Sequence, residues 1–206
     1  MKKLFVLFLS LLSLLSLFAG CTFATVQMPS YVVMLTQLYP STINRCTGVL
    51  VDPTHVLTAA HCVDTVRRVI TPDGQEGRVI DYQIAKHDMA LLELDRIMWV
   101  SEYATLGKAH KGEAQIYGTC PYYWGHQARQ AIYAGLWSAQ LADGYWIDFR
   151  VWDTLGSDEV CGGDSGGVVI QNNKVVGITS MVESESWLSI GTRFYTVPAE
   201  VFKELE

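Results

Sequence analysis

Cys161-Gly162-Gly163-Asp164-Ser165-Gly166-Gly167 is the stretch on which the reading of this 206-residue chain turns. A serine among glycines in a tight turn has an exposed hydroxyl and free neighbouring backbone N–H groups. One short loop can then supply both a nucleophile and the donors that bind an oxyanion. Glycine-rich turns of this kind are common, so the loop alone decides nothing. Upstream, however, lie Leu57-Thr58-Ala59-Ala60-His61-Cys62 and His87-Asp88-Met89-Ala90-Leu91-Leu92. Together the three segments offer a base, a carboxylate and a nucleophile in the chain order His, Asp, Ser.

That order, in those local contexts, resembles the chymotrypsin/trypsin family of serine endopeptidases. The resemblance runs from about Pro29 to Val197. Residue patterns outside the motifs point to an all-β chain. Tyr31-Val32-Val33-Met34-Leu35, Gly48-Val49-Leu50-Val51, His55-Val56-Leu57 and Met89 to Leu94 are short apolar or alternating runs, separated by turns such as Asp52-Pro53 and Pro72-Asp73-Gly74. A second set comprises Ala114 to Tyr117, Arg129 to Leu136, Trp146 to Val151, Gly167 to Ile170, Lys174 to Thr179 and Gly191 to Val197. Asn172-Asn173 reads as a hairpin tip and Pro198 to Leu205 as a short terminal helix. Periodicity cannot choose between a sandwich and a barrel. The resemblance implies two antiparallel six-stranded barrels with the active site in the cleft between them. The lobes are expected over 25–106 and 107–206, with Gly107 to Gly112 as the crossover.

The front of the chain is an export signal by composition. Met1-Lys2-Lys3 precedes a hydrophobic run from Leu4 to Phe18, too short to span a bilayer comfortably. A signal peptide over residues 1–20 is expected. Leu17-Phe18-Ala19-Gly20-Cys21 looks like a bacterial lipoprotein cleavage box, with Cys21 as the lipidated residue and membrane attachment as the consequence. Cleavage after Ala24, giving a soluble product, stays open beside it. Either way the protein is exported: secreted, periplasmic or lipid-anchored. Removing Lys2 and Lys3 leaves 13 basic against 21 acidic residues, a net charge of −8. No basic excess remains to neutralise phosphates, so nucleic acid is not an expected partner. A monomer acting on a protein or peptide, with no metal or organic cofactor, is expected.

Setting Cys21 aside, an even four cysteines remain, as in exported chains of oxidising compartments. The family resemblance implies that Cys46 and Cys62 close the histidine loop. A loop of that size stabilises by on the order of 3 kcal/mol in the chain-entropy model. It also leaves Cys120 and Cys161 to each other. Here the chain departs from the family, which usually joins the cysteine of the serine loop to one further downstream.

The resemblance assigns Ser165 as nucleophile, His61 as general base and acid, and Asp88 as the group orienting the imidazole. Asp64, close to His61 in sequence, is the rival carboxylate. The N–H groups of Gly163 and Ser165 are the expected oxyanion hole. His87 is read as solvent-facing. For specificity, Glu159 stands six residues before the nucleophile, where trypsin-like enzymes carry the acid at the base of the primary pocket; it would favour Lys or Arg. Val182, in Ser180-Met181-Val182, stands where glycine would leave the pocket open and would favour small side chains. Arg193 is placed to point inward and neutralise Glu159. Ser180 and Val182 should pair with an extended substrate through their backbones.

No Ile-Val-Gly-Gly occurs in the chain, although trypsin-like zymogens bury such a terminus against the aspartate before the nucleophile, here Asp164. Asp164 therefore needs another partner or greater exposure. Two other functions stay in view. One is a catalytically weak or silent member of the same fold serving as a binding or toxin-like module. The other is a lipase or esterase, whose Gly-x-Ser-x-Gly pattern Gly163 to Gly167 loosely satisfies.

Overall fold

The computed structural model describes residues 28–37, 46–85, 87–119, 128–140, 146–155, 160–183 and 192–205, with backbone alone at 146 and 147. Strands β1 (Val32–Thr36), β2 (Cys46–Leu50), β3 (His55–Thr58), β4 (Arg68–Ile70), β5 (Glu76–Ala85) and β6 (Met89–Leu94) close one antiparallel barrel in the order β1-β2-β3-β6-β5-β4. Strands β7 (Glu113–Tyr117), β8 (Arg129–Gln140), β9 (Trp146–Thr154), β10 (Val168–Gln171), β11 (Lys174–Val182) and β12 (Arg193–Pro198) close the second as β10-β11-β12-β9-β8-β7. This is the expected pair of six-stranded barrels. Among the described residues the helical pieces are 3-10 turns, Ala60–Cys62 and Ala199–Glu204. The second is the expected terminal helix, started by Pro198.

Burial explains the apolar runs. All five residues of β2 are buried, as is every residue of β6 except Glu93. A strand covered on both faces reads as a continuous apolar stretch. Val32, Leu35, Leu50, Leu57, Met89 and Leu92 are wholly buried on strands of the first barrel; Ile116, Trp152, Ile178 and Phe194 are wholly buried on strands of the second. Trp152 satisfies its indole N–H on Thr196 Oγ1 at 3.0 Å. Asn172 and Asn173, with φ of 51° and 59°, form the two-residue link that lets Gln171 pair with Lys174, as the asparagine pair led us to expect.

Sequence reading missed two strands, β4 and β5. β4 is only three residues long. In β5 every residue from Ile80 to Ile84 is exposed, so no buried stripe marks it. β8 and β9 run four and three residues beyond their expected ends, as partners in a single long ladder.

The barrels meet through the segments that carry the motifs. Thr47 N on β2 donates to Ser165 O at 2.8 Å. The connection after β6 is stitched to β11, with Gly107 N donating to Val175 O at 2.8 Å and Val175 N to Thr105 O at 2.9 Å.

Candidate active site

His61 lies in the 3-10 turn Ala60–Cys62 that follows β3, and Asp88 in the turn between β5 and β6. Pairing of β3 with β6, with Thr58 opposite Ala90, brings the two turns together. Asp88 adopts φ of 49°, a left-handed conformation that Asp tolerates better than most residues. From there it binds the histidine turn at several points. Its main-chain oxygen accepts from Ala60 N at 3.1 Å, and Oδ1 accepts from His61 N at 3.0 Å. Oδ2 lies 3.0 Å from His61 Nδ1. The Ser180 hydroxyl also donates to Oδ2. Ser180 is the extra residue of a β-bulge, since Thr179 pairs with Thr196 and Met181 with Tyr195. Bulges of this kind re-aim a side chain. Asp64, the rival, is exposed and makes no hydrogen bond to His61 among the described residues.

The electrostatics follow from these contacts. The hydrogen bond to Asp88 raises the His61 pKa above its ordinary value of 6.5; burial opposes this and the Asp88 charge adds to it. Burial pushes the Asp88 carboxyl up. Hydrogen bonds from His61 and Ser180, together with the imidazole charge, outweigh burial and hold it below the ordinary carboxylate value.

The serine loop is seated against the histidine segment. Besides the Thr47 contact, Gly166 N donates to Thr179 O at 2.7 Å. Gly166 has φ of 77°, and a Cβ there would run into Thr47 O and Thr58 Oγ1 and lie 3.1 Å from Ala59 N. Only glycine lets the loop approach so closely. Gly163 also has a positive φ, 110°. Among the described residues the N–H groups of Gly163 and Ser165 have no hydrogen-bond partner, whereas those of Asp164, Gly166 and Gly167 are all engaged. The Ser165 hydroxyl makes no hydrogen bond to His61 among the described residues. Such contacts are commonly long before substrate binds.

The Cys46–Cys62 disulfide is formed. It ties β2 to the residue after His61. Cys161 is disulfide-bonded as well; the expected sites Cys120, Cys21 and Glu159 lie outside the described residues.

With the geometry in place, the comparisons identify the family. The chain matches the family described as Trypsin over residues 27–200. It belongs to the trypsin family. As a member of the trypsin family it is a serine endopeptidase, a hydrolase of protein or peptide substrates. In sequence, no curated protein matches it. Among solved structures, Kallikrein-related peptidase 10 is similar at 21% identity and TM-score 0.66, over 85% of this chain and 93% of that one. The active form of the Rv3671c protease from M. tuberculosis is similar at 20% identity and TM-score 0.65, over 85% and 78%. Neuropsin, a serine protease of mouse brain, is similar at 19% identity and TM-score 0.66, over 85% and 92%. These likenesses are in fold.

Other trypsin-family positions fall as follows. Val182 is exposed and pairs with Phe194. Arg193 meets Asp153 with both arms of its guanidinium, Nε to Oδ1 at 2.7 Å and Nη2 to Oδ2 at 3.0 Å. Its charge is thus engaged by its cross-strand neighbour. His87 is not a free surface side chain, because Nε2 lies 3.5 Å from Glu204 Oε1 in the C-terminal turn. Asp164 is fully buried and paired with Arg129. Arg129 is the residue that sequence reasoning missed. It opens a strand, and no local pattern links it to the serine loop.

Proposed function

We propose that this trypsin-family chain hydrolyses peptide bonds with Ser165 as nucleophile, His61 as general base and acid, and Asp88 as the orienting carboxylate. The multiple contacts between Asp88 and the His61 turn carry this reading. With Nδ1–H donated to Asp88, the lone pair of Nε2 is left for the serine proton. Ser165 Oγ attacks the peptide carbonyl carbon, and His61 takes its proton. The oxyanion enters the space before the Gly163 and Ser165 N–H groups. His61 then protonates the leaving amine, and a water repeats the sequence on the acyl-enzyme.

The protein acts outside the cytoplasm, secreted, periplasmic or anchored through a lipid on Cys21. The apolar leader and the disulfide at Cys46–Cys62 support this. Glu159 forms the base of the primary pocket and selects Lys or Arg, and Val182 at its wall limits side-chain size. Engagement of Arg193 by Asp153 favours an unneutralised Glu159. Ser180 and Val182 present backbone groups to an extended substrate. No Ile-Val-Gly-Gly terminus is needed, and the enzyme is active once its leader is removed.

A serine-directed phosphonate tests the core of the reading. It should label Ser165 alone, and Ser165→Ala, His61→Ala and the double variant should lose turnover by similar large factors. Labelling that persists in Ser165→Ala would sink the assignment. A folded wild type that neither reacts nor cleaves would leave the binding-module reading in its place.

A further inference from the structure

Asp164 lies between Gly163 and Ser165, whose N–H groups have no partner among the described residues, and its own polar atoms are engaged. Its N–H donates to Cys161 O at 3.0 Å, and its carbonyl accepts from Gly167 N at 2.8 Å. Carboxylate Oδ2 accepts from Cys161 N at 2.9 Å and from Arg129 Nη1 at 2.5 Å. The Arg129 side chain is only 9% exposed and that of Asp164 1%. A second anchor holds the neighbouring peptide. Gly163 O accepts from the Thr47 hydroxyl at 2.8 Å and faces the Thr119 hydroxyl at 3.2 Å. Thr119 N–H donates to Thr47 Oγ1 at 2.9 Å, which leaves the Thr47 proton for Gly163. Thr47 belongs to β2 of the first barrel, while Thr119 follows β7 and Arg129 opens β8 in the second. Gly118 keeps the space clear. A Cβ there would strike Asp164 Oδ1 and come within 2.8 Å of its Cγ and 3.0 Å of Arg129 Nη2.

We infer that Arg129, Thr47 and Thr119 form an internal brace that fixes the Gly163 and Ser165 N–H groups in their oxyanion-binding orientation. Arg129 acts in place of an activating amino terminus. The inference rests on the protease reading of Ser165 and deepens it. A buried carboxylate cannot leave its cation without large cost, and a guanidinium never loses its proton. Asp164 therefore stays with Arg129 and holds the loop there. The Gly163–Asp164 peptide between the two donors is thus held from both barrels, by Thr47 of the first and Thr119 of the second. All three are positioning residues, since none needs to touch substrate.

The test combines turnover of a peptide substrate with amide exchange of the 161–167 segment, both on the mature full-length enzyme. Arg129→Met paired with Asp164→Asn removes both charges without leaving one buried alone. Thr47→Val and Thr119→Val remove one hydroxyl each at constant shape. The neutral pair should lower kcat on the order of 100-fold, as loss of an oxyanion donor does, with KM within about threefold. Each valine variant should lower kcat on the order of 10-fold. Exchange across 161–167 should quicken in step, and Arg129→Lys should recover part of both effects. Extending the amino terminus by a short tag should change neither. Wild-type kcat and exchange in the folded neutral pair, or in both valine variants, would overturn the brace. If the neutral pair does not fold, the two valine variants decide alone. A wild type that cleaves nothing and resists the phosphonate would sink the protease reading, while exchange would still judge the brace.

Discussion

Asp88 accepts from His61 twice, from ring Nδ1 and from the main-chain N–H, both at 3.0 Å. The carboxylate therefore fixes the imidazole and the turn that carries it. Asp88→Asn should keep the main-chain contact but present an N–H to Nδ1, favouring the wrong tautomer. Turnover should fall on the order of 10⁴-fold, with KM and melting temperature nearly unchanged. Steady-state kinetics beside a thermal melt check this; a large loss of stability instead would make Asp88 mainly a structural cap.

The shifted imidazole sets the pH response. In the proposed mechanism His61 is a base only when neutral, and its bond to Asp88 raises its pKa above the ordinary 6.5. Plots of kcat/KM against pH should rise through a midpoint above that value. Removing the acceptor in Asp88→Ala should move the midpoint down. The linked stability has the opposite sense. A raised folded pKa stabilises fully below the unfolded value and is lost as pH rises through the folded one.

Gly166→Ala probes the seat of the serine loop. The new methyl meets backbone at Thr47 and Ala59, which cannot move aside, and φ of 77° adds strain. We expect a loss of at least about 2 kcal/mol in denaturant unfolding, together with most activity. Gly74→Ala is the control. It shares a positive φ but has open space around it, and it should cost less.

Peptide-library profiling separates the two pocket readings. Glu159→Gln should weaken cleavage after Lys or Arg far more than after Ala. Val182→Gly should admit larger side chains. A profile unmoved by both would place the primary pocket elsewhere.

Disulfide mapping without reduction should find 46–62 and 120–161. Replacing Cys46 and Cys62 with Ser should cost about 3 kcal/mol. Replacing Cys120 and Cys161 with Ser should lower kcat more than it raises KM, because the loop acts on the transition state. Free, readily alkylated thiols at 120 and 161 in active enzyme would contradict the second bridge.

Much of this protein was legible residue by residue. The serine and histidine segments announce themselves because nucleophile, glycines and small neighbours must lie within a few positions for the chemistry to work. The buried strands β2 and β6 read as apolar runs for the same local reason. β5 did carry a signal, since Ile80, Tyr82 and Ile84 alternate with Asp81 and Gln83. Both faces are exposed there, so the alternation separates no core face from a solvent face.

The amino-acid sequence by itself determined the glycine-rich serine loop, the histidine and aspartate contexts, the all-β pattern and the absence of an Ile-Val-Gly-Gly motif from these 206 residues. Only the tertiary structure decided what answers the Asp164 charge and what steadies the peptide beside it. Arg129 lies 35 residues before Asp164, and Thr47 lies 116 before Gly163. Contacts at such separations leave no periodicity in the chain. They exist because the closing of two barrels forces a buried carboxylate to meet whichever cation the folded core brings within reach.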